Sequence, residues 1–517
     1  MSTPSLISTS SAIFWLVLFA SAFSLAGLLY ARRSRDNLED FITARNTQGP
    51  FATFLTLLAS SLGAWILLSP PESATWGGTA AIIGYALGSM SPIIALMLLG
   101  QRMRQLMPRG HSLTEFLMAR YGRPMYLLTL IIMVFYIFIA MTAEITAIAM
   151  LMTLLAPVPL WLTAIIVMGS VLLYTMYGGL RASIFTDKVQ VIIIVPLIVA
   201  LALIGWQITG GIMPVVDSLD TKAPQLLNLS DPVGVKAGLT FFVAILLTGI
   251  FHQGNWQRIY AARSTRDMRR GFLLGGMLVI PFILLMGAFG LAYVAMEPGG
   301  EPSVALFSLI MPNVPTWVAI GLIPLGLALV MGSSDTAVSA VSSIIAVEGS
   351  RVMPDASPAQ LLRLARWLVA LLAIPVVLVA SQGYSVLYLF LLADLLCAAA
   401  AFPVFFGMYN RRHDGFDATV ATLAGLCAGL AVFPLPDQPL DHLLESFLLA
   451  ALVPVVVVGL LQLLRSQESR SLFGLQGLAG QVRHFEAPAP DAEGAAPGAA
   501  TQPGTTDDES APKNQSK

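Results

Sequence analysis

The sequence has few charged residues for its length. Of 517 residues, 11% are charged and 56% are apolar, whereas a soluble domain carries roughly 25% charged residues. The net charge of −1 gives no overall field that would attract nucleic acid. Only two cysteines occur, Cys397 and Cys427, and both lie within apolar runs, so we expect packed thiols rather than a disulfide scaffold. The composition therefore predicts a membrane protein without a nucleic-acid partner.

Motifs for nucleotide binding are also missing. The chain contains no G-x-x-x-x-G-K-[ST] loop and no G-x-G-x-x-G after a soluble strand. His252 has no cysteine or carboxylate at the spacing that a metal site requires. We therefore predict that the protein is not an enzyme and does not take energy from ATP.

What the chain does have is long apolar runs. A membrane-spanning helix needs about 20 mostly apolar residues, and thirteen segments meet this criterion, which predicts an all-α polytopic membrane protein. The predicted spans are roughly 10–30, 51–70, 79–100, 124–154, 157–178, 187–208, 234–253, 271–295, 316–347, 364–382, 384–408, 417–434 and 444–465.

The basic residues indicate an orientation. All but two of the 28 lysines and arginines fall in alternate loops or in the C-terminal tail, and the exceptions are Lys222 and Lys236. Because cytoplasmic loops carry the excess of basic residues, we expect the N-terminus outside and the C-terminus in the cytoplasm, in the inner membrane. Residues 484–517 are rich in Ala, Pro, Gly, Thr and Asp and are predicted to form a disordered cytoplasmic tail. Residues 1–483 then form the transmembrane domain.

Polar residues interrupt the second span. Ser60-Ser61-Leu62-Gly63-Ala64-Trp65 lies near its middle, and Ser69-Pro70-Pro71 is expected to end it. An interrupted helix frees backbone carbonyls, which can coordinate a cation. The alternative is that Ser and Gly only allow close helix packing.

The ninth span carries a polar stripe. Gly332, Thr336, Ser339 and Ser343 are spaced by three and four residues and share one helix face. Hydroxyl groups are hard oxygen donors suited to sodium, and Asp335 adds a carboxylate. The alternative is hydrogen bonding between helices.

Acidic residues occur in three other spans. Glu144 and Asp394 are either ion or proton ligands or paired structural charges, and Asp187 is either such a ligand or an N-terminal helix cap. The sequence Gly249 to Arg258 suggests a second helix break. Interrupted helices, hydroxyl stripes and buried acids are typical of a secondary transporter.

Several motifs resemble one family of transporters. The most specific motif is residues 177–190, which read Y-G-G-L-R-A-S-I-F-T-D-K-V-Q. Supporting pieces are residues 38–41 (L-E-D-F), the run 108–122, and Gln257-Arg258. In these motifs the chain resembles the sodium:solute symporter family.

The resemblance implies a core of two inverted repeats of five helices each, at about residues 51–208 and 234–408. It also implies a sodium site between the second and ninth spans. The implied ligands are the backbone carbonyls of Ala59, Leu62 and Leu329 and the hydroxyl of Ser333. The family often has a second hydroxyl where this chain has Gly332, and Ser334 or Asp335 would be the replacement. Asp187 matches a family aspartate linked to ion coupling.

The resemblance further implies a solute site beside the break in the second span. The lining residues predicted from it are Ser61, Trp65, Phe251 and Gln253. We expect sodium-coupled symport of a small solute by alternating access, the solute being an amino acid such as proline, a carboxylate or urea. The alternatives are coupling to protons, a membrane sensor built like a transporter, and a passive channel, which the buried acids disfavour.

Overall fold

The computed structural model describes residues 6–32, 38–435, 442–464 and 475–481. By internal contacts, these residues all belong to one unit, which extends to Phe485. The predicted cytoplasmic tail lies outside the described residues, and the predicted domain boundary stays a prediction.

The described chain is helical, with α-helices joined by short turns and 3₁₀ segments. The helices are α1 (Thr9–Ala31), α2 (Leu38–Ile42), α3 (Pro50–Ser61), α4 (Ser69–Leu106), α5 (Leu113–Tyr121), α6 (Arg123–Leu155), α7 (Leu160–Ile208), α8 (Ile212–Lys222), α9 (Pro232–Gly249), α10 (Gln253–Ala261), α11 (Thr265–Met296), α12 (Ala305–Ile310), α13 (Thr316–Val352), α14 (Pro358–Ala380), α15 (Val386–Phe406), α16 (Gly415–Leu430) and α17 (Leu443–Leu464).

Ten of these helices are long and apolar enough to cross a membrane. One of the ten, α7, covers most of the predicted span 157–178 and all of the predicted span 187–208, and it is kinked between them at Gly179, where φ is 52°. This left-handed conformation favours glycine, and a Cβ at Gly179 would lie 2.4 Å from the Phe41 ring. The short apolar helices α3 and α16 coincide with two further predicted spans. Each of the thirteen predicted segments therefore contains helix.

The second predicted span differs from expectation at its end. The prediction that Ser69-Pro70-Pro71 ends this span is wrong, because Ser69 begins α4. A proline in the first turn of a helix loses no hydrogen bond, since that N–H has no partner within the helix. The chain bends instead at Gly78, where φ is 61°.

The most buried spans are α13 and α15, and they form the centre of the structure. α13 lies against α6, α7 and α14, while α4 packs extensively on α9 and α11. The backbones of α4 and α9 nearly touch at Gly84 and Gly238. A Cβ on Gly84 would lie only 2.2 Å from the Cα of Gly238. Small residues allow such close approach in membrane bundles.

The two cysteines are both free. Cys397 is buried in α15, as expected of a packed thiol. Cys427 is exposed on α16, so the prediction of a packed thiol is wrong for this residue. An apolar run does not distinguish a helix face that meets other helices from one that faces outward.

Candidate functional site

The break predicted in the second span lies between α3 and the 3₁₀ segment Ala64–Leu67. The Leu62 N–H donates to the Leu58 carbonyl and closes the last turn of α3. Within the described residues, no backbone N–H beyond this turn donates to the carbonyls of Ala59 and Leu62. Both residues are fully buried. Buried carbonyls at a helix end need a partner, and a cation can be that partner.

A carboxylate from α6 holds the other side of the break. The Ala64 N–H donates to Oε2 of Glu144 at 2.7 Å. The second oxygen, Oε1, fills the space beside Gly63, where a Cβ would lie only 1.7 Å from it. Glu144 is therefore built into the break, and Gly63 provides the room for it.

One turn of α13 faces this break. The Ser333 hydroxyl donates to the Leu329 carbonyl at 3.1 Å. A Cβ on Gly332 would lie 3.4 Å from the Ala59 carbonyl oxygen. The structure thus brings the Ala59 carbonyl of α3 to the turn of α13 that holds the Ser333 hydroxyl and the Leu329 carbonyl, and the two helices pack against each other.

Gln190 of α7 adds a polar group that we did not predict as a ligand. Its side-chain oxygen lies 3.0 Å from the position of a Cβ on Gly332. The side chain is buried, and neither its oxygen nor its nitrogen has a hydrogen-bond partner in the described part of the chain. Its place as the last residue of the motif 177–190 was the signal that could have identified it. The amide oxygen of Gln190 therefore lies beside the place that a hydroxyl group on residue 332 would take. An amide oxygen is a hard oxygen donor, like the hydroxyl that is missing there.

Asp187, the remaining predicted ion ligand, forms a buried ion pair. The Arg258 guanidinium donates to its Oδ2 at 2.9 Å, and the Thr56 hydroxyl donates to the same oxygen. Arg258 also donates to the Thr336 hydroxyl at 2.8 Å. Because Asp187 lies inside α7, the alternative of an N-terminal cap is wrong. The pair ties α3, α7, α10 and α13 together.

Asp335 faces α7 rather than the break in α3. Its carboxylate accepts hydrogen bonds of 2.8 Å from the hydroxyls of Tyr174, Ser183 and Thr186. These bonds join α13 to α7, so this part of the polar stripe takes the structural role that was the alternative. The suggestion that Asp335 replaces the hydroxyl missing at Gly332 has no support in this arrangement.

A cavity of about 150 Å³ lies beside the break. Two of the four predicted solute-lining residues, Ser61 and Trp65, line it, and so does Ser333 of the predicted ion site. The other polar or aromatic lining residues are Ser60, Tyr85, Ser89, Tyr136, Glu144, Thr248, His252, Asn255, Ser334, Phe390 and Asp394. The cavity is thus continuous with the oxygen cluster of α3 and α13.

The structure does not bring Phe251 and Gln253 to this cavity. The Phe251 ring is buried, and its centroid lies 5.4 Å from that of the Phe405 ring. The Gln253 amide donates to the His111 carbonyl at 2.9 Å and accepts from the Leu113 N–H at 3.2 Å. The helix is interrupted between α9 and α10, so spacing along the sequence does not give the direction of these side chains.

The loop that Gln253 holds contains a charged cluster outside the spans. His111 Nε2 lies 2.7 Å from one oxygen of Glu39, and Nδ1 lies 3.3 Å from Glu115. Burial lowers the pKa of His111, but the hydrogen bonds and charges of Glu115 and Glu39 outweigh it and raise this pKa to about 9. Burial would raise the pKa of Glu39, but His111 and Arg45 bring it down to about 2.

These shifts predict a loss of stability at alkaline pH. The folded-state pKa of His111 is raised above its unfolded value of about 6.5, so its contribution is full below pH 6.5 and is lost as the pH rises through about 9. The free energy of unfolding, measured by thermal unfolding in detergent, should decrease by about 1 to 3 kcal/mol across this window. In His111→Gln the decrease should be smaller. An equal decrease in both proteins would contradict the assignment.

Comparison with known proteins agrees with this architecture. The model of the sodium:solute symporter family matches residues 41–425. The spermidine transporter DUR31 of Candida albicans is 26% identical over 81% of this chain and 79% of its own length. The high-affinity proline transporter PutP of Bacillus subtilis is 27% identical over 51% of this chain and 58% of its own length.

A solved structure has the same fold. A Na⁺-coupled sialic acid symporter, in a substrate-bound outward-open state, superposes with a TM-score of 0.73 at 17% identity. The match covers 89% of this chain and 99% of that one. The prediction of an all-α polytopic membrane protein with an inverted-repeat core is confirmed, and so is the predicted family. The family and these relatives are transporters, not enzymes. This chain belongs to the sodium:solute symporter family.

Proposed function

We propose that this protein is a secondary active transporter that couples sodium entry to the uptake of a small organic solute. The observation that carries the proposal is the continuity of two sites at Ser333. Its hydroxyl belongs to the oxygen cluster of α3 and α13, and its side chain also lines the cavity. An ion bound at this residue would fix the break in α3 and thereby complete the solute site.

The proposed ion site has the chemistry that sodium requires. The carbonyls of Ala59, Leu62 and Leu329 and the Ser333 hydroxyl are uncharged hard oxygen donors, and the Gln190 amide oxygen would be a fifth. Alternating access then follows from the ion: bound sodium favours the outward-open state, and its release inside favours the inward-open one. The membrane potential adds about 2.3 kcal/mol per charge per 100 mV.

The proposal is tested with purified protein in liposomes. An inward sodium gradient should drive accumulation of a solute from a labelled panel, and a proton gradient alone should not. Proton coupling is the second candidate, favoured by the buried carboxylate of Glu144 beside the break. If the proton gradient alone drives accumulation, the second candidate replaces the first. If neither gradient drives it, the symporter proposal fails.

Removing the Ser333 hydroxyl should weaken sodium binding. We expect Ser333→Ala to raise the sodium concentration for half-maximal uptake by about tenfold, because one ligand oxygen of roughly 1.4 kcal/mol is lost. Ser170→Ala is the matched control, since the Ser170 hydroxyl likewise donates to a carbonyl one turn earlier, that of Ile166, at 2.7 Å. An unchanged sodium dependence in Ser333→Ala would remove this residue from the ion site.

We also propose that the C-terminus is cytoplasmic and the N-terminus is outside, in the cell membrane, as the basic residues predict. Cysteines placed at exposed loop positions test this proposal in a chain without its two native cysteines. A membrane-impermeant thiol reagent should label Ser230→Cys in intact cells and should label Arg411→Cys only after the cells are opened. The reverse pattern would invert the topology.

A further inference from the structure

Two acidic side chains line the described cavity. Glu144 from α6 and Asp394 from α15 both line it, and each is at least nine-tenths buried. Within the described residues, no lysine or arginine lines the cavity, and neither carboxylate forms an ion pair. By contrast, Asp187 is neutralised by Arg258. The two acids of the cavity therefore have no counter-charge among the described residues.

His252, whose imidazole also lines the cavity, does not supply the missing positive charge. Its Nδ1 accepts a hydrogen bond of 3.1 Å from the Gly254 N–H. An imidazole nitrogen that accepts from an N–H carries no proton, so the ring is neutral in this arrangement. Glu144 and Asp394 are then the acidic groups that a charged part of a solute would meet in the cavity.

The cavity is poorly suited to an anionic group. Broken helices commonly bind an anionic substrate group through the free N–H groups of the second half-helix. Here the Ala64 N–H already donates to Glu144 at 2.7 Å. A carboxylate of a solute would meet Glu144 instead of a free donor, and like charges repel strongly where water is excluded.

Aromatic rings complete the wall. The Trp65 ring stacks on that of Tyr85, with centroids 5.7 Å apart and planes at 20°. The Phe390 ring meets Trp65 edge-on at 6.1 Å, and all three residues line the cavity. Faces of such rings attract organic cations by up to about 2 kcal/mol when water is excluded. The Trp65 and Phe390 rings offer no oxygen to a sodium ion, so they do not extend the sodium site.

We propose that the transported solute is a small organic cation, an amine or a quaternary ammonium, whose charge is bound by Glu144 and Asp394 and whose apolar part packs on Trp65 and Tyr85. The inference rests on the proposed transport function. It narrows the solute class and disfavours the carboxylates that the sequence suggested. Buried carboxylates near an exchangeable cation are stabilised only while the cation is present, so solute binding and the charge of the site are linked.

The test uses the full-length protein in liposomes under an inward sodium gradient, with labelled putrescine, choline, proline, pyruvate and urea. We expect at least one of the two cations to accumulate, at about ten times the level of proline, pyruvate or urea or more. If sodium drives only a zwitterion, anion or neutral solute, the cation proposal is overturned while sodium symport stands. If sodium drives no solute in the panel, even at millimolar concentration, both proposals fail.

Charge-removing variants then test the two residues. Asp394→Asn keeps the shape of the side chain, and we expect it to lower cation uptake about tenfold or more, as we do for Glu144→Gln. Asp217→Asn, which removes an exposed carboxylate on α8, should transport normally. Because Glu144 also supports the break in α3, Asp394→Asn is the decisive variant if Glu144→Gln does not fold. A folded Asp394→Asn protein with normal cation uptake would overturn the proposal.

Discussion

Replacing Arg258 with alanine is expected to destabilise the folded protein by about 3 to 5 kcal/mol, because it leaves the buried carboxylate of Asp187 without its counter-charge. The guanidinium is 1% exposed and the carboxylate is fully buried. Arg258 also donates to Thr56 at 2.9 Å and to Thr336. A lysine has no planar fork with which to reach all three partners, so Arg258→Lys should recover only part of the loss. Thermal unfolding in detergent measures the effect.

The matched control is the pair between Arg181 and Asp40. Its atoms approach to 3.0 Å, but its side chains are 34% and 27% exposed, and Arg181→Ala should cost less than about 1 kcal/mol. The double variant of Arg258→Ala with Asp187→Ala should be more stable than Arg258→Ala alone, since no unpaired charge remains. If the double variant is the less stable of the two, the destabilisation in Arg258→Ala does not come from the unpaired carboxylate.

A methyl group at residue 63 is expected to abolish most transport. In Gly63→Ala the new Cβ would lie 1.7 Å from Oε1 of Glu144 and 2.6 Å from the Trp65 ring. Either the carboxylate leaves the Ala64 N–H or the break changes shape, and overpacking of this kind costs about 1 to 3 kcal/mol. We therefore expect sodium-driven uptake to fall about tenfold or more.

Gly169→Ala provides the control for Gly63→Ala. Gly169 lies in α7, and nothing is within 4 Å of the position that its Cβ would take. Its replacement should leave uptake unchanged, because alanine also favours helix. Uptake in Gly63→Ala at the level of this control would contradict the role of Glu144 in holding the break.

The long apolar runs, and the polar residues that interrupt them, made much of the fold predictable. Each predicted span contains helix, and the run from Ser60 to Trp65 marked the break in α3 correctly. The kink at Gly179 was not predictable from hydropathy, because it depends on one glycine at positive φ, with helix directly before and after it. The end of the second span was misplaced because prolines both end helices and begin them.

Only part of the candidate site was predictable from the family resemblance. Ser61, Trp65 and Ser333 meet at the cavity, but the motif did not show that Asp187 pairs with Arg258 across the fold. The partners of Asp335 are hydroxyls of α7, which no periodicity within α13 reveals. Gln253 was misplaced because the direction of a side chain after a helix break depends on tertiary packing. Long-range pairings of this kind need the three-dimensional structure.

The central claim is that sodium and solute cross the membrane together at the break in α3. The most direct test is the entry of radioactive sodium into liposomes that contain the protein, measured while each solute of the panel is added outside. The account predicts that the transported solute accelerates sodium entry in a fixed ratio to its own uptake, and that Ser333→Ala weakens both fluxes together. Solute uptake without accompanying sodium entry would contradict it.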